Sequence, residues 1–462
     1  MQIVSGASTA IPGADQRIEL SIYGEFIQQN FKYKNQLFIT GALRNDGSSV
    51  FGPDHRNQRY SKLSGSYVLS GTKYWGTLGV DKWWDLFKLR AAYGQSGNLT
   101  GIPAYGRYNT YTAAPFVGSS SFEGQSNYTN PNVQPERQKE LEFGTDLSFV
   151  HNRIGLSVNV YHKTVDHLLI TRLIAPTNGY SSLTDNIGSL ENNGYELVLN
   201  LEPVKTKDFT WDITGIYNHN ANKALNIGQS LQLFSTTSGA PVAIIGGQPI
   251  GVFYGSFFAT DAGGALLKNP AGIPVTEAGV QNGPLSYTPQ RNQATGLPTG
   301  TVLQKVIGNP NPKYTATVST DLTWKRLSLH AQADAVHGVN VFNADFRTRQ
   351  GVDNGTVAQQ EDLGQLPRGY IAGVYNIQQW RVDNGNYVKL REVALSYDFG
   401  AILKGVKGLS VSLGGRNLFS WDHYKGYDPE INSAGQSTLL RGIDFGAVPI
   451  PRTFTATVRA KF

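Results

Sequence analysis

Residues 451–462 read Pro-Arg-Thr-Phe-Thr-Ala-Thr-Val-Arg-Ala-Lys-Phe and alternate between polar and apolar up to the last position. Phe454, Ala456, Val458, Ala460 and Phe462 fall on one face, and Thr453, Thr455, Thr457, Arg459 and Lys461 on the other. Side chains of a strand point to opposite faces at successive residues, so this segment is a ribbon with one greasy and one wet side. Taken alone, it suits the closing strand of an outer-membrane barrel or of a soluble sandwich equally well.

The rest of the chain breaks the tie. Period-two alternation predicts thirteen strands, at 17–31, 36–44, 60–70, 87–97, 139–150, 153–164, 194–201, 209–220, 313–324, 327–336, 387–399, 409–418 and 452–462. They run from 8 to 15 residues. About 9–11 tilted residues cross a bilayer, whereas strands of soluble sheets average about 5–6. The faces stay consistent along each strand. Leu141, Phe143, Leu147 and Phe149 oppose Glu140, Glu142, Asp146 and Ser148, and Leu329, Ala331, Ala333 and Ala335 oppose His330, Gln332 and Asp334. The expected fold class is therefore all-β, an antiparallel transmembrane barrel. Glu140, Glu142, Asp146, Asp321, Gln332 and Asp334 are its lumen-lining candidates, and the alternate side chains meet outer-membrane lipid.

Composition agrees with that class and excludes others. No run of about 18 apolar residues occurs and mean hydropathy is −0.29, so no transmembrane helix is expected. A barrel can be this polar because every second residue faces a wet lumen. With no cysteine there is no disulfide, thiolate metal site or cysteine nucleophile. The net charge of +6 is not gathered into a basic stripe interleaved with aromatics, which argues against nucleic acid as a partner.

Connections alternate in length. Those at 32–35, 151–152, 202–208, 325–326 and 400–408 are short, and those at 45–59, 98–138, 165–193, 221–312, 337–386 and 419–451 are long. The connection at 71–86 joins the short set only because the alternation requires it. Short periplasmic turns and long external loops are the outer-membrane arrangement. Thirteen is odd, while single-chain bacterial barrels have even strand numbers, so the start of the barrel is expected to be missing. Residues 1–16 are expected to be an irregular lead-in without a signal-peptide pattern, and 17–462 the barrel.

Several stretches resemble one family, the TonB-dependent outer-membrane transporters of the SusC/RagA type from Bacteroidetes. They are Arg44-Asn45-Asp46-Gly47-Ser48-Ser49-Val50-Phe51-Gly52, Leu89 to Asn98, Asn130-Pro131-Asn132 leading to Glu136 and Glu140, and Asn186-Ile187-Gly188 with Glu191 to Glu196. Ile307 to Tyr314, Tyr387 to Val393, Gly414 to Phe419 and Tyr424 to Glu430 continue the series in the family's order. Pro135 stands where the family pattern has Trp. The resemblance implies the C-terminal thirteen strands of a 22-stranded barrel, a size whose lumen is plugged. No stretch of this chain resembles the plug. It further implies an importer of oligosaccharides or peptides that works with a SusD-like surface lipoprotein as lid. TonB–ExbB–ExbD would supply the energy through the missing plug region. A passive barrel that only docks partners is the alternative.

No catalytic constellation emerges, so no enzyme and no cofactor is expected. Ser70-Gly71-Thr72-Lys73 fits SxxK without its companion motifs. His162 and His167 fall on opposite faces, and Asp353, Glu361 and Asp362 read as a solvated loop before a Ca²⁺ site. For substrate contacts the candidates are aromatics in the long connections, Phe253, Tyr254, Trp380, Trp421, Tyr424 and Tyr427, which could stack on sugar rings.

Overall fold

The computed structural model describes residues 17–99, 101–117, 119–227, 232–234, 238–402, 405–437 and 439–462, so the lead-in expected at 1–16 lies outside the described residues. Thirteen long strands form one sheet in which every neighbour is the next strand along the chain. They are β1 Ile22–Tyr33, β2 Leu37–Ser48, β3 Asn57–Val68, β4 Trp84–Asn98, β5 Glu136–Phe149, β6 Ile154–Asp166 and β7 Ser189–Lys205. The series continues with β8 Phe209–Leu225, β9 Tyr314–Trp324, β10 Leu327–His337, β11 Tyr387–Gly400, β12 Gly408–Asp422 and β13 Thr453–Lys461. All thirteen expected strands are present. The largest change is at 194–201, which becomes Ser189–Lys205. Glu191, Asn192 and Asn193 are polar on both faces, which hides the alternation, but backbone pairing beyond the membrane needs no apolar face.

Local chemistry turns the chain sharply at the short end. Lys34 and Asn35 between β1 and β2, and Val150, His151 and Asn152 between β5 and β6, adopt the left-handed conformation that tight hairpins require. The ambiguous connection between β3 and β4 holds a short helix, Lys73–Thr77, on the same side. Its Trp75 is buried, donates to the carbonyl of Trp84 at 3.1 Å, and packs with Trp84 and Phe87. Ser70 and Lys73 share no hydrogen bond among the described residues.

Cross-strand register fixes the two faces. Lys88 pairs with Asp146, Asp146 with Ser157, and Glu196 with both Asn159 and Asn218. Thr317 pairs with Asp334 and Ser319 with Gln332. One face is therefore polar from β4 to β10, and the six lumen candidates all lie on it. On the opposite face Leu63, Phe143, Val160, Val318, Leu395, Leu413 and Val458 are exposed in a continuous apolar band. Near the long-loop end of that face Tyr195, Tyr217, Tyr314 and His337 stack in succession at 5.9, 5.4 and 4.9 Å. No helix among the described residues is long and apolar enough to cross a membrane; the band shows that strands do the crossing.

The sheet does not close on itself. β1 and β13 each pair with a single neighbour and are exposed along their whole length.

Adjacent residues of β9 offer a direct test of the faces. Val318 is 53% exposed on the apolar face, and Ser319 follows it on the polar face. Val318→Arg should cost about 2–4 kcal/mol of stability in a bilayer, whereas Ser319→Arg should cost little. Urea unfolding in lipid vesicles compares them, and a larger loss for Ser319→Arg would reverse the faces.

Candidate functional site

The long connections fold into a packed layer. The strand Val252–Ser256 is buried at all five positions. Phe253, Phe342 and Ile443 meet in one apolar cluster although they come from the β8–β9, β10–β11 and β12–β13 connections. The β2–β3 connection is anchored in the same manner. Val50 and Phe51 are buried against Val133 and Ile102, and the Gly52 amide donates to the carbonyl of Val133 at 3.2 Å. A Cβ at Gly52 would stand 3.0 Å from the backbone of Pro131 and Asn132, so a side chain there would push these two segments apart by a few tenths of an ångström.

An ion-pair network fastens this layer to the wall. Lys389 of β11, 5% exposed at its side chain, lies 2.6 Å from Asp428 and 2.9 Å from Glu430. Arg391, two residues along, is the unpaired residue of a bulge against β10, and its guanidinium lies on the same polar side. Arg391 meets Asp334 at 2.8 Å and Glu430 at 3.0 Å, and Asp334 accepts further hydrogen bonds from Thr317 and Gln332. Two stretches quoted above, around Lys389 and around Asp428, are thus partners in one contact. A second network lies lower on the wall. Arg90 donates to Asp146 at 3.0 Å and to Asn159 at 2.8 Å, and Ser157 donates to Asp146 at 2.9 Å. His330 and Asp321 are 2.8 Å apart.

Where the polar face meets the loop layer there is a cavity of about 990 Å³. Its floor comes from the wall, with Glu136 and Gln138 of β5, Lys163 and Val165 of β6, Leu190 and Asn192 of β7, and Asn220 and Asn222 of β8. Its roof comes from three connections, which contribute Leu168 to Thr171, Ile244, Ile250, Asn311, Leu439 and Arg441. A smaller groove of about 280 Å³ adjoins it and is lined by Glu140, Glu142, Tyr161 and Glu196. The ring of Tyr161 lies over Gly194, where a Cβ would collide with it, which explains the glycine in that stretch.

The six aromatic candidates do not converge. Phe253 and Tyr254 are 0% and 2% exposed and belong to the loop core. Tyr424 is buried, its hydroxyl donating to Asp444 at 2.6 Å. Burial pushes the Asp444 carboxyl up, against the pull of that hydrogen bond, and burial with the Asp444 contact pushes the Tyr424 hydroxyl up as well. Trp380 packs edge-on against Phe346 at 5.0 Å. Trp421 lies in β12 rather than in a connection, paired with Val388 on the apolar face and stacked on Phe419 at 6.2 Å. Tyr427 alone of the six is an exposed loop side chain, at 74%, with the Arg349 guanidinium 5.5 Å above its ring.

The remaining chemistry is structural. Glu361 accepts from the amides of Gly369 at 2.6 Å and Ile371 at 2.8 Å, so it serves the backbone. His162 bonds Asn193 and His167 bonds Gln134. Among the described residues no group of three or more His, Cys, Asp or Glu could hold a metal. Arg381 is buried with its guanidinium 4.6 Å over Phe342, and burial, with Arg347 nearby, pushes it down to about 10. Sequence reasoning passed over the cavity floor. Its signal was the run Asn218-His219-Asn220-Ala221-Asn222, which places an amide at every second position.

A family model described as TonB dependent receptor-like, beta-barrel matches residues 3–418. The chain belongs to this family of TonB-dependent receptor β-barrels. The family consists of outer-membrane receptors, not enzymes, and its barrel accounts for the apolar band. The chain is 26% identical over 505 residues to TonB-dependent receptor P3 of Formosa agariphila, covering 99% of this chain and 47% of that protein. It is 26% identical over 456 residues to TonB-dependent receptor SusC of Bacteroides thetaiotaomicron, covering 93% and 42%. Among solved structures, the RagAB peptide transporter superposes with a TM-score of 0.76 at 21% identity, covering 96% of this chain and 48% of that one, which shows a shared fold. The SusC/RagA resemblance is borne out. The chain spans about half the length of these relatives.

The Lys389 network makes a testable demand on the receptor barrel. Removing one partner of a buried pair costs about 3–5 kcal/mol, because a charge is left without compensation. Lys389→Met should make residues 423–452 sensitive to added protease, and Asp428→Asn on top of it should add little. Protease mapping of the single and double variants checks this, and full additivity would show that the two residues act independently.

Proposed function

We propose that this chain is the greater part of the barrel wall of a TonB-dependent importer of oligosaccharides or peptides, with residues 17–462 acting as one unit. The supporting observation is continuity. One polar face runs the height of the sheet and opens directly into the loop-roofed cavity, while the opposite face carries the apolar band. A ligand held in the cavity thus stands at the head of a wet path. In this reading Glu140, Glu142, Asp146, Asp321, Gln332 and Asp334 line that path. Of the aromatic candidates, Tyr427 is the one with a free surface for an incoming ligand.

The free edges of β1 and β13 belong to the same reading. Unpaired backbone groups are not tolerated against hydrocarbon, so further strands must complete the barrel. A plug within it would connect to TonB–ExbB–ExbD. A SusD-like lipoprotein would cover the long-loop side, where the loop layer offers a preformed platform. The RagAB peptide transporter and SusC are the relatives that support this assignment.

Uptake measurements separate import from a passive role. A strain lacking the transporter, and the parent strain with its proton-motive force collapsed, should both lose uptake of a labelled oligosaccharide or oligopeptide pool. Unchanged uptake of both pools in the deletion strain would leave only the passive barrel.

A further inference from the structure

We infer that the loop-roofed cavity selects peptides that carry a carboxylate and aliphatic side chains, a refinement that rests on the importer reading above. Among the described residues none of its lining side chains is aromatic. Sugar rings are held by stacking their CH faces on aromatic planes, and of the candidate platforms Phe253, Tyr254 and Tyr424 are sealed in the loop core while Trp421 faces the other way. Tyr161, the ring nearest the cavity on this face, is in the adjoining groove and lies over Gly194.

What the cavity offers instead matches a peptide in three respects. Its roof is aliphatic, with Leu168, Ile170, Ile244, Ile250 and Leu439, which suits apolar side chains and would leave sugar hydroxyls dehydrated without partners. Its floor carries carboxamides at Asn192, Asn220 and Asn222. A carboxamide presents a donor and an acceptor side by side, the complement of a peptide group. Asn222 accepts from the Ile250 amide at 2.8 Å, which leaves its NH₂ free to donate.

Charge supplies the third respect. Lys163 and Arg441 line the cavity, and neither has an ion-pair partner among the described residues. Lys163 is opposite Glu140 in register without closing on it. Among the described residues the only acid in the lining is Glu136, and it is occupied by the Leu169 amide at 2.9 Å. Lys163 also borders the groove of Glu140, Glu142 and Glu196, so Arg441, which is outside that groove's lining, is the cation that favours an anionic ligand, and its planar fork suits a carboxylate bidentately.

The test uses the native transporter purified from outer membranes and three fluorescent probes. These are the pentapeptide Leu-Glu-Leu-Glu-Leu with a free C-terminus, its uncharged Gln-containing amide, and an oligogalacturonate of similar length. Fluorescence polarisation should give tightest binding for the acidic peptide, weaker binding for the amide by about tenfold, and none for the oligogalacturonate. Arg441→Gln, and separately Lys163→Gln, should narrow the gap between the two peptides, and a normal heat-modifiable band shows that each variant is folded. Binding of the oligogalacturonate in preference to the peptides would overturn the inference in favour of an acidic-sugar site. Equal binding of both peptides, or binding of no probe, would overturn it as well. Cellular uptake of labelled pools tells the two failures apart, since uptake of oligosaccharide alone keeps the importer and removes the peptide, whereas no uptake of either pool removes the importer.

Discussion

A backbone amide inside a hydrocarbon slab has no partner except another strand, and this constraint organises the molecule. It requires an unbroken ladder from β1 to β13, which the register supplies strand by strand. Once the ladder is imposed, side-chain alternation does the rest, because the lipid side excludes unpaired charge while its neighbours are free to carry it. The polar networks around Arg90 and Arg391 persist because the lumen side is wet and each charge in them has partners on adjacent strands. The same residues one position along the chain would face lipid unpaired.

The loops solve a different problem. Long connections lose conformational entropy when ordered, and they need a core to offset it. Here the core is assembled between connections: Phe253, Phe342 and Ile443 come from three of them, and none could bury its apolar surface alone. The layer is then tied to the wall by buried charge, with Lys389 and Arg391 on one side and Asp428 and Glu430 on the other. Such a contact is directional and intolerant of misplacement, which suits a roof that must remain above a cavity. The bulge at Arg391 matters for this reason. It leaves Arg391 out of the ladder with β10, and from there its guanidinium meets both Asp334 of the wall and Glu430 of the loop.

Strands and faces were legible in the sequence because alternation is a one-dimensional signal. Positions 314–324 and 327–337 show it in nearly every residue, and the structure follows it almost to the residue. Boundaries were lost where both faces turn polar, as at Glu191 to Asn193, since nothing above the membrane enforces the pattern. The candidate site was much less legible. Phe253 and Tyr254 look like ligand platforms in a glycine-flanked loop stretch, yet Phe253 is buried by Phe342 and Ile443 and Tyr254 by Ala243, Ile245 and Val306, contacts that no local pattern reports. Trp421 was placed in a connection because Phe419 ends the obvious alternation, but the ladder with β11 continues through it.

The recurrent motifs have a physical reading that also explains why they misdirect a search for the site. Asn186 and Asn311 bond backbone groups of neighbouring segments, at 2.8 to 2.9 Å in the contacts with Gln134 and Ile250, while Asn130 donates to the Asp185 carboxylate and Asn309 accepts from the Asn311 amide. Gly52 and Gly194 make room for a neighbouring backbone or ring. These residues hold the loops in place, and any ligand requires that scaffold in the same form. Selectivity must then reside in positions that the scaffold leaves free, and the cavity floor and roof are such positions. Lys163, Asn192, Asn220 and Arg441 can change their chemistry without disturbing the ladder or the loop core, because they line the cavity and none belongs to the buried clusters. A barrel built on this plan separates what keeps it folded from what it admits, and only the first of these is written as a motif.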